Sequence, residues 1–159
     1  MGRIHLRMGD YSMLNKRSEA LLLLLSVGEN KPLDPVRIMK SMFVFTMEAK
    51  DEWIPKQDRY DFVPYNYGPC SFELYDDLDE LVSKGFIKTE QLPDRSWKYF
   101  ALTAKGVEVA KSIASKSNAA EVKYLTRIRE YVDGCSFNQL LTGIYKAYPQ
   151  YAVNSVFKR

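Results

Sequence analysis

The run Gly85-Phe86-Ile87-Lys88-Thr89-Glu90-Gln91-Leu92-Pro93-Asp94-Arg95-Ser96-Trp97-Lys98-Tyr99-Phe100-Ala101-Leu102-Thr103 decides the fold. Phe86 to Lys88 and Trp97 to Leu102 carry alternating, aromatic-rich patterns, and the turn residues around Leu92 to Arg95 separate them, which predicts a β-hairpin. Gly85 stops the segment before it. From Ser71, a candidate N-cap, to about Lys84, Leu74, Leu78, Leu81 and Val82 recur on one helical face. After the hairpin, Thr103 is placed to cap a helix containing Val107, Ala110, Ile113 and Ala114.

Two further helices precede this block. Lys16 to Val27 contains the leucine run 21–25 and reads as a buried helix, closed near Gly28 and Asn30 by residues that tolerate a left-handed cap. Asp34 followed by Pro35 is a helix start, because the carboxylate accepts from unpaired amides and Pro suits the first helical position. Ile38, Met39, Met42, Phe43 and Phe45 supply that helix's apolar stripe. Between Glu48 and Tyr67 lies a long connection with Trp53, Tyr60, Phe62, Tyr65 and Tyr67, expected to pack by its aromatic rings, before a turn at Gly68-Pro69. The order helix, helix, helix, hairpin, helix is that of a winged helix-turn-helix.

The fold class expected is therefore mainly α with a small antiparallel β-hairpin (α+β), a winged helix-turn-helix with extra C-terminal helices. Residues 1–15 read as an arm whose Arg3 and Arg7 are solubilising, and residues 16–116 as the winged-helix domain. After a polar break at Ser115 to Ala119, residues 117–159 hold a helical hairpin. Its first helix carries Val122, Leu125, Ile128 and Val132 and stops at Gly134. The second opens on a capping box, Ser136-Phe137-Asn138-Gln139, and carries Leu140, Leu141, Ile144 and Tyr145. This hairpin either packs on the preceding domain or forms a homodimer.

The 159 residues carry 23 basic and 20 acidic side chains, distributed unevenly. Residues 1–17 hold four basic groups against one acid, residues 18–83 six against thirteen, and residues 84–159 thirteen against six. The apolar run Ala20 to Leu25 is far shorter than the roughly 20 residues that cross a bilayer, so a cytoplasmic protein without a membrane partner is expected. Cys70 and Cys135 have no CxxC partner and read as free buried thiols rather than zinc ligands or a disulfide.

The residues 78–87, with Leu78, Leu81, Gly85, Phe86 and Ile87, and 99–106, Tyr-Phe-Ala-Leu-Thr-Ala-Lys-Gly, resemble the segment joining third helix, wing and fourth helix in winged-helix regulators. Tyr67-Gly68-Pro69 with Ser71, Glu73, Leu74 and Tyr75 resembles the YGP-x-S-x-E-LY signature of Panacea-type antitoxin and phage-associated proteins. Residues 136–149, from Ser136-Phe137-Asn138-Gln139 to Tyr148-Pro149, are similar to a segment of YwgA-like proteins. The resemblance implies a winged-helix module whose relatives neutralise toxins or serve regulatory and phage-linked roles.

Little in the chain points to catalysis. His5 is the single histidine, so neither a hydrolase triad nor a zinc site can be assembled around histidine. Asp34 with Glu48-Ala49-Lys50 has the residue types of a D…ExK nuclease, but that chemistry needs ExK on a strand, and the segment from Pro35 reads as helix. The eight glycines are isolated, which leaves no phosphate cradle. No enzyme activity, cofactor or metal is expected.

On the third helix, 100° spacing puts Phe72, Glu73, Asp76, Asp79 and Glu80 outward. Four carboxylates without a cation would be repelled by DNA phosphates, which disfavours major-groove docking. The same face, with Phe72 as anchor, suits a basic protein partner such as a toxin or a phage-linked protein. Alternatively, Phe72 folds back onto residues 53–67 and the acids form a solvated face. A second function is a DNA-binding regulator that docks through Arg95 and Lys98 of the wing, Lys105, Lys111 and the basic C-terminal helices.

Overall fold

In the computed structural model the structure describes residues 14–93 and 96–157. They form α1 (Lys16–Ser26), α2 (Pro35–Glu48), β1 (Val63–Tyr65), β2 (Gly68–Cys70), α3 (Phe72–Ser83), β3 (Ile87–Gln91), β4 (Lys98–Leu102), α4 (Ala104–Lys116), α5 (Ala119–Gly134) and α6 (Phe137–Ala147). The architecture is mainly helical with small antiparallel two-stranded sheets. No helix among the described residues is long and apolar enough to cross a membrane.

Helix starts follow local chemistry. Asn15, Asp34, Thr103, Asn118 and Ser136 each accept from an amide in the first turn of the helix that follows, and Gln139 completes the expected capping box by accepting from the Ser136 amide. Ser71 departs from expectation. It occupies the N-cap of α3, yet its buried hydroxyl has no hydrogen-bond partner among the described residues, and its amide donates to Met39 Sδ instead.

Helix ends depend on the tertiary fold. The turn after α1 places Glu29 and Asn30, rather than Gly28, at positive φ. Arg129 of α5 is 1% exposed and donates to Leu24 O (3.0 Å), Leu25 O (3.4 Å) and Lys31 O (2.8 Å), covering the C-terminus of α1 while its Nε pairs with Asp133. Arg59 does the same for α2, donating to the carbonyls of Thr46, Ala49 and Ile54. Arg37 closes α5 through Val132 O and Cys135 O. Each guanidinium puts fixed, charged donors against the negative end of a helix.

Leu21 to Leu25 are fully buried, so α1 is apolar around its whole circumference and sits at the centre, with α2, α4, α5 and β4 packed on it. The core includes Leu125, Ile128 and Val132 of α5 and Leu140 and Ile144 of α6, and so runs on past residue 117. The break between α4 and α5 is only Ser117 and Asn118, shorter than composition suggests, because α4 continues to Lys116. Cys70 is buried and Cys135 only half-buried.

The expected hairpin is β3–β4, with Ile87 opposite Leu102 and Gln91 opposite Lys98. Leu33 adds a bridge to Phe100, with both amides donating across it (2.8 and 2.9 Å), which ties the α1–α2 connection to the hairpin. A second hairpin was not expected: β1 and β2 pair Val63 with Cys70 and Tyr65 with Gly68. Gly68-Pro69 is therefore strand, and Asn66-Tyr67 makes the turn.

One buried acid makes stability pH-dependent. Glu121, in the first turn of α5, is 8% exposed and faces Lys16 and Glu19 of α1. Burial pushes its pKa from 4.5 to about 7, Lys16 opposing and Glu19 adding to the rise. The folded protein thus binds this proton more tightly than the unfolded chain, so stability is lost as pH rises from about 4.5 to about 7. Glu121→Gln should leave stability unchanged near pH 4 and raise it by roughly 2 kcal/mol at pH 8. Urea melts at the two pH values test this, and equal gains at both would refute it.

Candidate functional site

Leu74, Leu78 and Leu81 seat α3 on the core, which turns Phe72, Glu73, Asp76, Asp79 and Glu80 outward, and all five are exposed. Phe72 is 56% exposed and meets Tyr65 edge to face, ring centroids 5.5 Å apart. It folds back onto the aromatic connection while keeping an open face. Tyr65, Tyr67 and Tyr75 are exposed too and surround a single cavity, so the surface holds four rings rather than one.

The charge on this face differs from the sequence reading. Arg17 of α1 reaches Glu73 (3.0 Å) and Lys84 reaches Glu80 (3.0 Å). Cations therefore stand beside two of the four carboxylates, and Asp76 and Asp79 make no ion pair among the described residues. Sequence reasoning missed Asp77. This residue is buried on the inner face, bonded to Arg17 Nε (2.8 Å) and to the Tyr60 hydroxyl (2.6 Å). Burial, reinforced by Asp77, pushes the Tyr60 phenol well above its ordinary pKa. Asp77 lies three residues after Leu74 and four before Leu81, and this polar intrusion on an apolar stripe was the available signal.

The basic residues do not gather. Arg95 lies outside the described residues. Lys98 is exposed on β4. Lys105 is half-buried with its ammonium 5.0 Å from the Phe86 ring centroid, and Lys111 is exposed and paired with Glu108 (3.5 Å). Six residues apart, Lys105 and Lys111 sit about 120° from one another around α4. Arg129, counted with the basic C-terminal helices, is buried and bonded internally.

Asp34 caps one end of α2 and Glu48 is its last residue, so about 20 Å of helix separates them and the two cannot share a metal. The Tyr148 hydroxyl donates to Glu48, and burial, reinforced by this bond, raises the Tyr148 pKa. Among the described residues no cluster of three His, Cys, Asp or Glu side chains could hold a metal ion. No protein-family model and no curated protein matches the chain.

Proposed function

We propose that this chain is a winged-helix binding module, similar to Panacea-type antitoxin and phage-associated proteins, which acts without catalysis by engaging a basic protein through the outer face of α3. The observation carrying this reading is the exposed Phe72–Tyr65 ring pair beside the unpaired Asp76 and Asp79. An aromatic anchor bordered by acids gives a partner both apolar contact and charge steering. The Leu33–Phe100 bridge supports the winged-helix assignment, since it adds a third strand position at the hairpin edge.

Asp76→Lys with Asp79→Lys should abolish capture of the native partner while leaving the melting temperature within a few degrees, because neither side chain supports core packing. Lys98→Glu with Lys111→Glu should leave capture intact. Pull-down from the native cell with both double variants and the parent, alongside duplex binding across a salt series, makes the comparison. If the parent binds duplex with a steep salt slope that only the lysine variant loses, the protein is a DNA-binding regulator instead.

A further inference from the structure

Behind the rings of Tyr65, Tyr67 and Tyr75 lies a cavity of about 170 Å³, walled by α2, the β1–β2 turn and α3. That is comparable with the roughly 150 Å³ of a cavity that takes up a benzene ring. Lys40 of α2 is the one charged residue among the described residues that line it. The residue is 4% exposed, and its Nζ donates to Pro69 O at 2.9 Å. An ammonium carries three donors, and no carboxylate pairs with this one among the described residues.

Neither acidic group beside Lys40 supplies the missing charge. Burial pushes the Cys70 thiol up, with Lys40 opposing the rise, and burial likewise pushes the Tyr75 phenol up, so both stay neutral at pH 7. Burial lowers the Lys40 amine to about 8, which still leaves most of it cationic at neutral pH. A buried cation without a counter-charge is costly to fold around.

We propose that this cavity binds a small carboxylate with an aromatic or apolar body, its carboxylate against the Lys40 ammonium and its body among Met39, Tyr65 and Tyr75. A free aryl acid and the C-terminal residue of a peptide present the same group. The site shares Tyr65 with the proposed protein-binding face, but Asp76 and Asp79 do not line it, so carboxylate binding is tested separately from partner capture.

Calorimetric titration of the full chain with benzoate and with benzamide tests the proposal. Benzoate should bind at least about tenfold more tightly, as a charge-assisted hydrogen bond replaces a neutral one. Binding at pH 8 should take up protons, measured in two buffers of different ionisation heat, since the anion restores the Lys40 charge. Lys40→Met should lose benzoate binding; were that variant to fold poorly, the benzoate–benzamide ratio and proton uptake of the parent still decide. Gly-Gly-Phe and its C-terminal amide form the second arm. Tighter binding of the free peptide than of benzoate, lost on amidation, assigns the site to a chain terminus, and the reverse order to a free acid. Equal affinity for benzoate and benzamide, absence of proton uptake, or no binding of either carboxylate overturns the proposal.

Discussion

Arg129→Met should destabilise the protein by about 4 kcal/mol, the largest loss expected for any single side chain. Three backbone carbonyls, from Leu24, Leu25 and Lys31, would lose their donor, and Asp133 its partner. The Leu24 and Leu25 carbonyls lie in the buried last turn of α1 with little access to water, so their desolvation penalty is not recovered, whereas the carbonyl of the exposed Lys31 can turn to solvent. Gly28 is part of the same device. A Cβ there would collide with the Arg129 guanidinium, so the glycine clears its path. Arg129→Lys should recover part of the loss, because a single ammonium cannot span all three carbonyls as the fork does. For a chain of this length the methionine variant should melt roughly 10 °C lower. A methionine variant within 1 kcal/mol of the parent in urea denaturation would show that water replaces the guanidinium.

Gly106→Ala should cost about 3 kcal/mol, although the change adds one methyl to a helix. Gly106 lies in the first turn of α4 where that turn crosses the start of the β3 segment, and a Cβ would run into the backbone carbonyl of Phe86. That same carbonyl accepts from Thr103 N (3.0 Å), which fixes the helix start against it. A flexible side chain could move aside; a backbone held on both flanks cannot. Gly134→Ala is the control. Nothing lies within 4 Å of a Cβ at that position, so alanine should be neutral or stabilise by about 0.5 kcal/mol. Chemical denaturation of the two variants separates close packing from helix propensity, and a mild effect at Gly106 would show that α4 can shift outward.

Much of the framework was readable because it is local. Asp34-Pro35, Thr103 and Ser136 through Gln139 announce helix starts by contacts within three residues, and the leucine spacing of α3 foretells which side chains face water. The β1–β2 hairpin was not readable, since a three-residue strand with Pro64 opposite Pro69 lacks the usual ladder donors. Tertiary bonds hold it instead: Lys40 Nζ to Pro69 O and Val156 N to Asn66 O. The candidate site divides in the same way. Helical periodicity places Phe72, Asp76 and Asp79 outward, whereas the Arg17 contact with Glu73 joins positions 56 residues apart and leaves no trace in local pattern. The roles of Arg59 and Arg129 are invisible in the sequence for the same reason, as nothing nearby marks a guanidinium that caps a distant helix.

The central position of α1 has a consequence for how the protein is made. This helix leaves the ribosome before its packing partners α4 and α5, and the contact that closes its end joins residues 105 positions apart. At roughly 5–20 residues per second, the leucine run spends on the order of ten seconds without the surfaces that cover it. For that interval the chain presents a sticky segment to the cell, and nascent-chain chaperones would have their best target there. Synthesis slowed between α1 and α5 should lengthen that exposure and lower the soluble yield, even though the finished fold is unchanged.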